Sequence, residues 1–206
     1  MEILDTKKGN REELIQKTIN VLKKGGLVVY PTETVYGLGV DATSESALEK
    51  LWAFKGERGD KPVLCAVSDV GMAEKYVNLS DLGKKTAQKY WPGAVAIVSL
   101  SKNEVSRKAQ GETNTLGLRN PDNKDILEII SLFGKPITST SANISGGVTA
   151  RSLAEFLTTV PKERQDLIDL FVDAGELPLR QPSTVVDTTG ESLRILRQGE
   201  VEVSVN

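Results

Sequence analysis

The sequence predicts an α/β (α+β) fold, a twisted mixed β-sheet flanked by helices. Apolar strand-like runs alternate with helical periodicities through the first two thirds of the chain, and strands then cluster towards its end. No repeat, low-complexity tract or Gly/Pro-rich linker divides the 206 residues, so one domain over 1–206 is expected, and 39% hydrophobic with 26% charged residues suffices for one core.

Each element follows from local signals. Asn10 and Glu13 start a helix whose Leu14, Ile15, Thr18, Ile19 and Leu22 share a face, and Gly25 and Gly26 end it. LVVY (27–30) is a short buried strand. Ser46 with Glu49 fits a capping box for a helix over 45–55, in which Leu48 and Leu51 face inward and Lys55, seven residues after Leu48, continues their stripe. PVLCAV is the next strand, then a helix over 81–90 stopped by Trp91-Pro92-Gly93, then the strand AVAIVSL (94–100). Residues 101–114 lack apolar periodicity and read as a long loop. TLGLR (115–119) returns to strand, and Asp122 caps a helix built on Ile126, Leu127, Ile129, Ile130 and Phe133. PITSTSAN (136–143) is a strand becoming a hydroxyl-rich turn, residues 150–159 form a short helix, and LIDLFVDAG, STVVDTT and LRILRQ supply the last strands.

Two absences narrow the chemistry. With no histidine there is no Ser-His-Asp triad, Cys-His pair or HExxH zinc site. The single cysteine, Cys65, lies in the apolar run VLCAV and reads as a core thiol, so disulfides and cysteine-cluster metal sites are excluded too. A net charge of −2 advertises no nucleic-acid or membrane partner, and with neither an apolar leader nor a membrane-length run a cytoplasmic protein is expected. What remains is chemistry by Lys, Arg, hydroxyls, carboxylates and backbone amides.

Four loops carry such groups. YPTETVYGLGVDA (30–42) brings the hydroxyls of Thr32, Thr34 and Tyr36, with Gly37 and Gly39 permitting close backbone approach. Its GLGVDA fits GxGxxA, but the strand ends seven residues before the first glycine, which argues against a Rossmann turn. WAFKGERGDKP (52–62) concentrates Lys55, Arg58 and Lys61 just beyond a helix, either as a solvated loop or as an anion site. In NTLGLRNPD, Thr115 and Arg119 alternate with Leu116 and Leu118, so Arg119 needs an anionic partner, a structural carboxylate or a ligand. TSTSANISGGVT (138–149) places Ser139, Ser141, Asn143 and two glycines at a strand end, where backbone N–H groups suit an anion. No GxxxxGK[ST] sequence occurs, so a Walker-type phosphate loop is excluded. Together the loops describe a cleft for polyanionic substrates, with positioning and charge neutralisation as its means.

In order, PTETVYGLG, the KG…R…DKP cluster, WPG, TLGLR, STSANISG, PSTVVD and LRQG resemble the TsaC/YrdC family of threonylcarbamoyl-AMP synthases, over about residues 12 to 200. The resemblance implies a YrdC-like twisted sheet with a basic concave cleft. It implies a nucleotidyltransferase that converts L-threonine, bicarbonate and ATP, with Mg²⁺ on the phosphates, to threonylcarbamoyl-AMP and pyrophosphate. Separate tRNA threonylcarbamoyl transferase machinery would use the product, and direct tRNA binding is left open. Carried over by position, Thr34 and Arg119 hold threonine, with Ser139, Thr32 and Tyr36 beside them. The nucleotide falls to Lys55, Arg58, Lys61, Thr115, Ser141 and Thr149, with Asn143 from the Ser-x-Asn pair and with Ser183 and Arg197. Lys55 and Arg58 are the expected catalytic charges.

The chain departs from the family where Lys-x-Arg is common: here Lys55-Gly56-Glu57 puts the arginine one position late, at Arg58. Ala66 stands where longer members often have histidine, and the chain looks like the short form, without their extra C-terminal domain. A YrdC-fold RNA-binding module and a paralogue with another acceptor than threonine are the alternative readings.

Overall fold

The computed structural model describes residues 1–56 and 61–204. The chain order is β1 (Glu2–Asp5), α1 (Arg11–Lys23), β2 (Val28–Pro31), β3 (Tyr36–Gly39), α2 (Glu45–Lys55), β4 (Cys65–Ala66), α3 (Val70–Tyr76), β5 (Val77–Asn78), α4 (Asp81–Tyr90) and β6 (Val95–Ser101). It continues with α5 (Arg107–Gln110), β7 (Thr115–Arg119), α6 (Lys124–Phe133), β8 (Ile137–Thr138), β9 (Thr140–Ser141), α7 (Leu153–Thr159), α8 (Lys162–Gln165), β10 (Leu170–Asp173), β11 (Thr184–Asp187) and β12 (Arg194–Arg197). The predicted mixed α/β class is what is seen, with the strands divided between two mixed sheets. One has the order β1-β10-β2-β3-β9; the other runs β12-β11-β6-β7-β4-β8, with β5 on the edge of β6.

Local chemistry explains the boundaries. The Asn10 side chain caps α1 by accepting from Glu12 N, and Gly25 follows its end with φ 73°. Ser44, rather than the expected Ser46, caps α2 by accepting from Ala47 N, and Asn123, rather than Asp122, caps α6 by accepting from Ile126 N. Gly134 closes α6 in the left-handed region with φ 79°, the conformation that glycine adopts without a Cβ penalty. Short elements lie where loops or turns were expected: β3 within 30–42, α5 within 101–114, and α3 between the second strand and α4.

The core joins α1, α2 and α6 to the sheets through Leu22, Leu27, Leu48, Phe54, Ile129 and Ile130, all essentially buried. Tyr36, Phe156 and Phe171 add an aromatic cluster, with centroids 5.1 Å apart for Tyr36–Phe171 and 5.3 Å for Phe156–Phe171. No helix among the described residues is long and apolar enough to cross a membrane.

The two sheets meet where β8 gives way to β9. Thr138 pairs with Cys65 in the second sheet, while its Oγ1 accepts from Val40 N at 3.1 Å and donates to Leu38 O at 2.9 Å in the first. Two residues later Thr140 pairs with Leu38. Ser139, between them, donates its backbone N–H to Leu64 O at 2.6 Å, and so stands at the corner between the sheets.

Candidate functional site

That corner forms one end of a cavity of about 230 Å³, room for a small polar molecule rather than a single water. Its walls are Thr32, Thr34 and Val35 from the β2–β3 turn, Gly37 from β3, Pro62 and Leu64 before β4, Arg119 from β7, Ser139 to Ser141, Pro182 and Ser183 just before β11, Val185 from β11 and Arg197 from β12.

Sheet register explains how residues so distant in sequence converge. Arg119 pairs with Ala96, Ala96 with Val185, and Val185 with Arg197, so one row crosses β7, β6, β11 and β12. Residues paired in register project to the same face, so both arginines stand over Ala96 and Val185. At roughly 4.8 Å per strand their backbones are about 14 Å apart, a span that two arginine side chains can close from either end. Gly117, two residues before Arg119, has the Leu64 side chain where its Cβ would be, at 2.4 Å, which lets this cleft wall lie flat on the strand.

Arg119 is buried, and its Nη2 donates to Glu33 Oε1. Its Nε, also buried, has no hydrogen-bond partner among the described residues, and the same holds for Ser183 Oγ. An orphaned buried polar group costs about 1–3 kcal/mol. Both belong to the lining of one cleft, where a ligand or an ordered water would supply the missing partner. Arg197 donates from Nη2 to Ser183 O at 2.8 Å; partial burial, and then the charge of Arg119, lower its pKa. Two arginines against one carboxylate leave the cleft cationic.

The hydroxyl wall is ordered by its own bonds. Thr32 Oγ1 donates to Val35 O at 2.7 Å and accepts from Thr34 N and Val35 N, each at 3.2 Å. It lies 3.1 Å from Thr34 Oγ1, a contact across which either hydroxyl can donate.

Thr32, Thr34, Arg119, Ser139, Ser141, Ser183 and Arg197 thus share one cavity. The remaining candidates lie elsewhere. Tyr36 does not line the cleft: its ring is in the core, and its hydroxyl donates to Gly175 O at 2.7 Å and accepts from Ala174 N at 3.0 Å. Lys55 is buried as its helical spacing requires, but its ammonium donates to Ser141 O at 2.9 Å, Asn143 O at 2.7 Å and Asn143 Oδ1 at 3.0 Å. Asn143 Oδ1 also accepts from Ser141 Oγ at 2.6 Å, and its Nδ2 donates to Gly147 O. Lys55 and Asn143 therefore brace the 141–147 turn. Thr115 bonds to Thr113 Oγ1 at the far end of β7, and Thr149 is half-buried outside the cavity lining. Lys61 is exposed next to Pro62 of the wall, whereas Glu57 and Arg58 lie outside the described residues. Cys65 is buried and its thiol is pushed up to about 12, as the core reading requires.

Glu33, inside the motif PTETVYGLG, was not among the sequence-derived candidates. The available signal was the requirement for a carboxylate near Arg119; 86 residues of separation hid which one supplies it.

Comparison with known proteins places this architecture. The family model described as "Telomere recombination" (Sua5_yciO_yrdC) matches residues 20–199. The chain belongs to the Sua5/YciO/YrdC family. Within it, a threonylcarbamoyl-AMP synthase of Vibrio vulnificus is 32% identical over 188 residues, which cover 90% of this chain and 98% of that protein. One from Pyrococcus abyssi is 30% identical over 198 residues, 96% of this chain and 57% of that protein, so the chain spans little more than half of this relative. The structure of P. abyssi Sua5 complexed with L-threonine matches with a TM-score of 0.88 at 28% identity, covering 97% of this chain and 58% of that one. Escherichia coli YciO, at 24% identity and a TM-score of 0.81, shares the fold over 96% of this chain and 94% of its own.

Proposed function

We propose that the chain is an L-threonylcarbamoyladenylate synthase. The observation that carries this reading is the cationic cleft in which Arg119 and Ser183 each hold a buried polar atom without a protein partner among the described residues. The names of the Vibrio and Pyrococcus relatives and the L-threonine complex of P. abyssi Sua5 support it. In the reaction, the threonine amine and bicarbonate give the carbamate and water. A carbamate oxygen then attacks the α-phosphorus of ATP, and pyrophosphate leaves. Threonine lies with its carboxylate at Arg119 and its hydroxyl or amine at Thr34 and Ser139. The triphosphate extends toward Ser141, Ser183, Arg197 and Lys61. No side-chain nucleophile is required, which agrees with a chain that lacks histidine.

Because carbamate and triphosphate are both anionic, the arginines offset their repulsion and stabilise charge in the transition state, where one such contact is worth about 3 kcal/mol. Mg²⁺ enters as part of the Mg·ATP substrate, carried on phosphate oxygens. The product then passes to a separate transferase acting on tRNA.

The test is pyrophosphate release by the purified chain with Mg·ATP, bicarbonate and L-threonine. Release that needs both threonine and bicarbonate is expected; release no greater than without them would overturn the assignment.

A further inference from the structure

Glu33 sits between two residues of the cleft wall, Thr32 and Thr34, yet its own side chain does not line the cavity. It reaches toward β7 and the start of α6. Its Oε1 accepts from Arg119 Nη2, and its Oε2 accepts from the backbone N–H of Asp122 at 3.2 Å. Next to it, Asn123 Nδ2 donates to Pro31 O at 3.3 Å, so the turn that carries Glu33 is fastened to the segment after Arg119 at two points. The Glu33 and Arg119 side chains retain only 10% and 5% of their exposure, which leaves the guanidinium little freedom to reorient.

A guanidinium offers five N–H donors in one rigid plane, and its value in binding a carboxylate depends on how that plane is aimed. Glu33 occupies Nη2 from one side. Nε remains without a partner among the described residues. We propose that Glu33 is the positioning residue for Arg119: it anchors one edge of the guanidinium so that the remaining N–H groups meet the carboxylate of L-threonine. This rests on the threonine reading of the cleft given above. It separates orientation from charge, because a carboxylate kept for its charge alone would partly repel an anionic substrate, whereas one kept for its hydrogen bond fixes the fork.

The experiment compares Glu33→Gln, Glu33→Ala and Glu33→Asp with the parent protein by pyrophosphate release and by calorimetric titration with L-threonine and with Mg·ATP. Glutamine preserves the length and an acceptor oxygen. It is expected to keep the threonine KM within about threefold, while alanine raises it at least tenfold and leaves the ATP KM within twofold. Aspartate keeps the charge but withdraws the acceptor by one methylene, and is expected to raise the threonine KM with little change in Tm. Should the alanine protein fail to fold, the Gln and Asp variants decide the question alone. The proposal is overturned if threonine KM is unchanged in Ala and Asp, if Gln is as damaging as Ala, or if ATP and threonine KM rise together. A parent protein that binds threonine but releases no pyrophosphate would refute the synthase assignment and leave this proposal to the titration. A parent protein that turns over normally with an unresponsive Glu33 would refute this proposal only. A parent protein that does not bind threonine would refute both.

Discussion

Arg119 can serve a ligand because its counter-ion covers only part of it. A fully paired buried guanidinium would be a structural strut, and an unpaired one would destabilise the fold. Here Glu33 takes Nη2, and Nε has no partner among the described residues, which leaves a donor for a second anion. Arg119→Lys is therefore expected to keep the charge yet raise the threonine KM at least tenfold, about 1.4 kcal/mol, because an ammonium cannot reproduce the planar fork. Titration with threonine and with Mg·ATP checks this, since loss confined to threonine is the expected outcome. At this scale the sequence was informative about type and poor about partner. The alternation in TLGLR put Arg119 on a polar-facing row, and helical spacing put Lys55 inward. Neither pattern carries the long-range contacts that give Arg119 its carboxylate and commit Lys55 to the carbonyls of Ser141 and Asn143. Tyr36 illustrates the opposite error: a hydroxyl in a glycine-rich motif looked like a ligand group, but burial beside Phe171 claims it for the core.

Among the elements, α6 matters most for the site, since its N-terminus borders the Glu33 turn. Asn and Asp are both good N-caps, so propensity alone put the cap at Asp122, one residue early. The structure gives the position to Asn123, whose Oδ1 accepts from Ile126 N at 3.2 Å while Nδ2 reaches Pro31 O. Asn123→Ala is expected to cost about 1–2 kcal/mol in urea unfolding, and Asp122→Ala less than about 0.5 kcal/mol, because only the backbone of Asp122 is engaged by Glu33. Equal losses would return the cap to Asp122. Longer elements were legible from periodicity, as in α1 with Leu14, Ile15, Thr18, Ile19 and Leu22 all buried. The seven-residue α3 was not: it buries only Met72 and Ala73 and contains Gly71, so no amphipathic stripe announces it. Likewise β3 is read from YGLG only when β2 and β9 are known to flank it.

For the whole molecule, the decisive feature is the passage of the chain from one sheet to the other at Thr138, Ser139 and Thr140. Strand content and class were legible as alternating and then clustered apolar runs, but their division into two sheets was not, because PITSTSAN reads as one strand running into a turn and its break at Ser139 depends on the distant partners Cys65, Leu64 and Leu38. Arg119 and Arg197 owe their common face to the same arithmetic of pairing: three registers, none local, bring them over Ala96 and Val185. Order along the chain pointed to a shared cleft only through the residue types of four loops and through motif resemblance. The seam gives the last prediction. Thr138 is fully buried, and its hydroxyl bridges Val40 N and Leu38 O, so Thr138→Val keeps the volume while leaving that N–H and carbonyl without their side-chain partner. The loss is expected to be about 1–3 kcal/mol, seen as a lower midpoint in chemical denaturation with an unchanged slope. Thr138→Ser, which keeps the hydroxyl and removes one methyl, should recover most of it if the bridge rather than packing is what holds the seam. Because Ser139 and Thr140 line the cavity, Thr138→Val should also weaken threonine binding at temperatures where the protein remains folded. A variant that loses stability while threonine affinity holds would mean that the cleft does not depend on how the two sheets are joined.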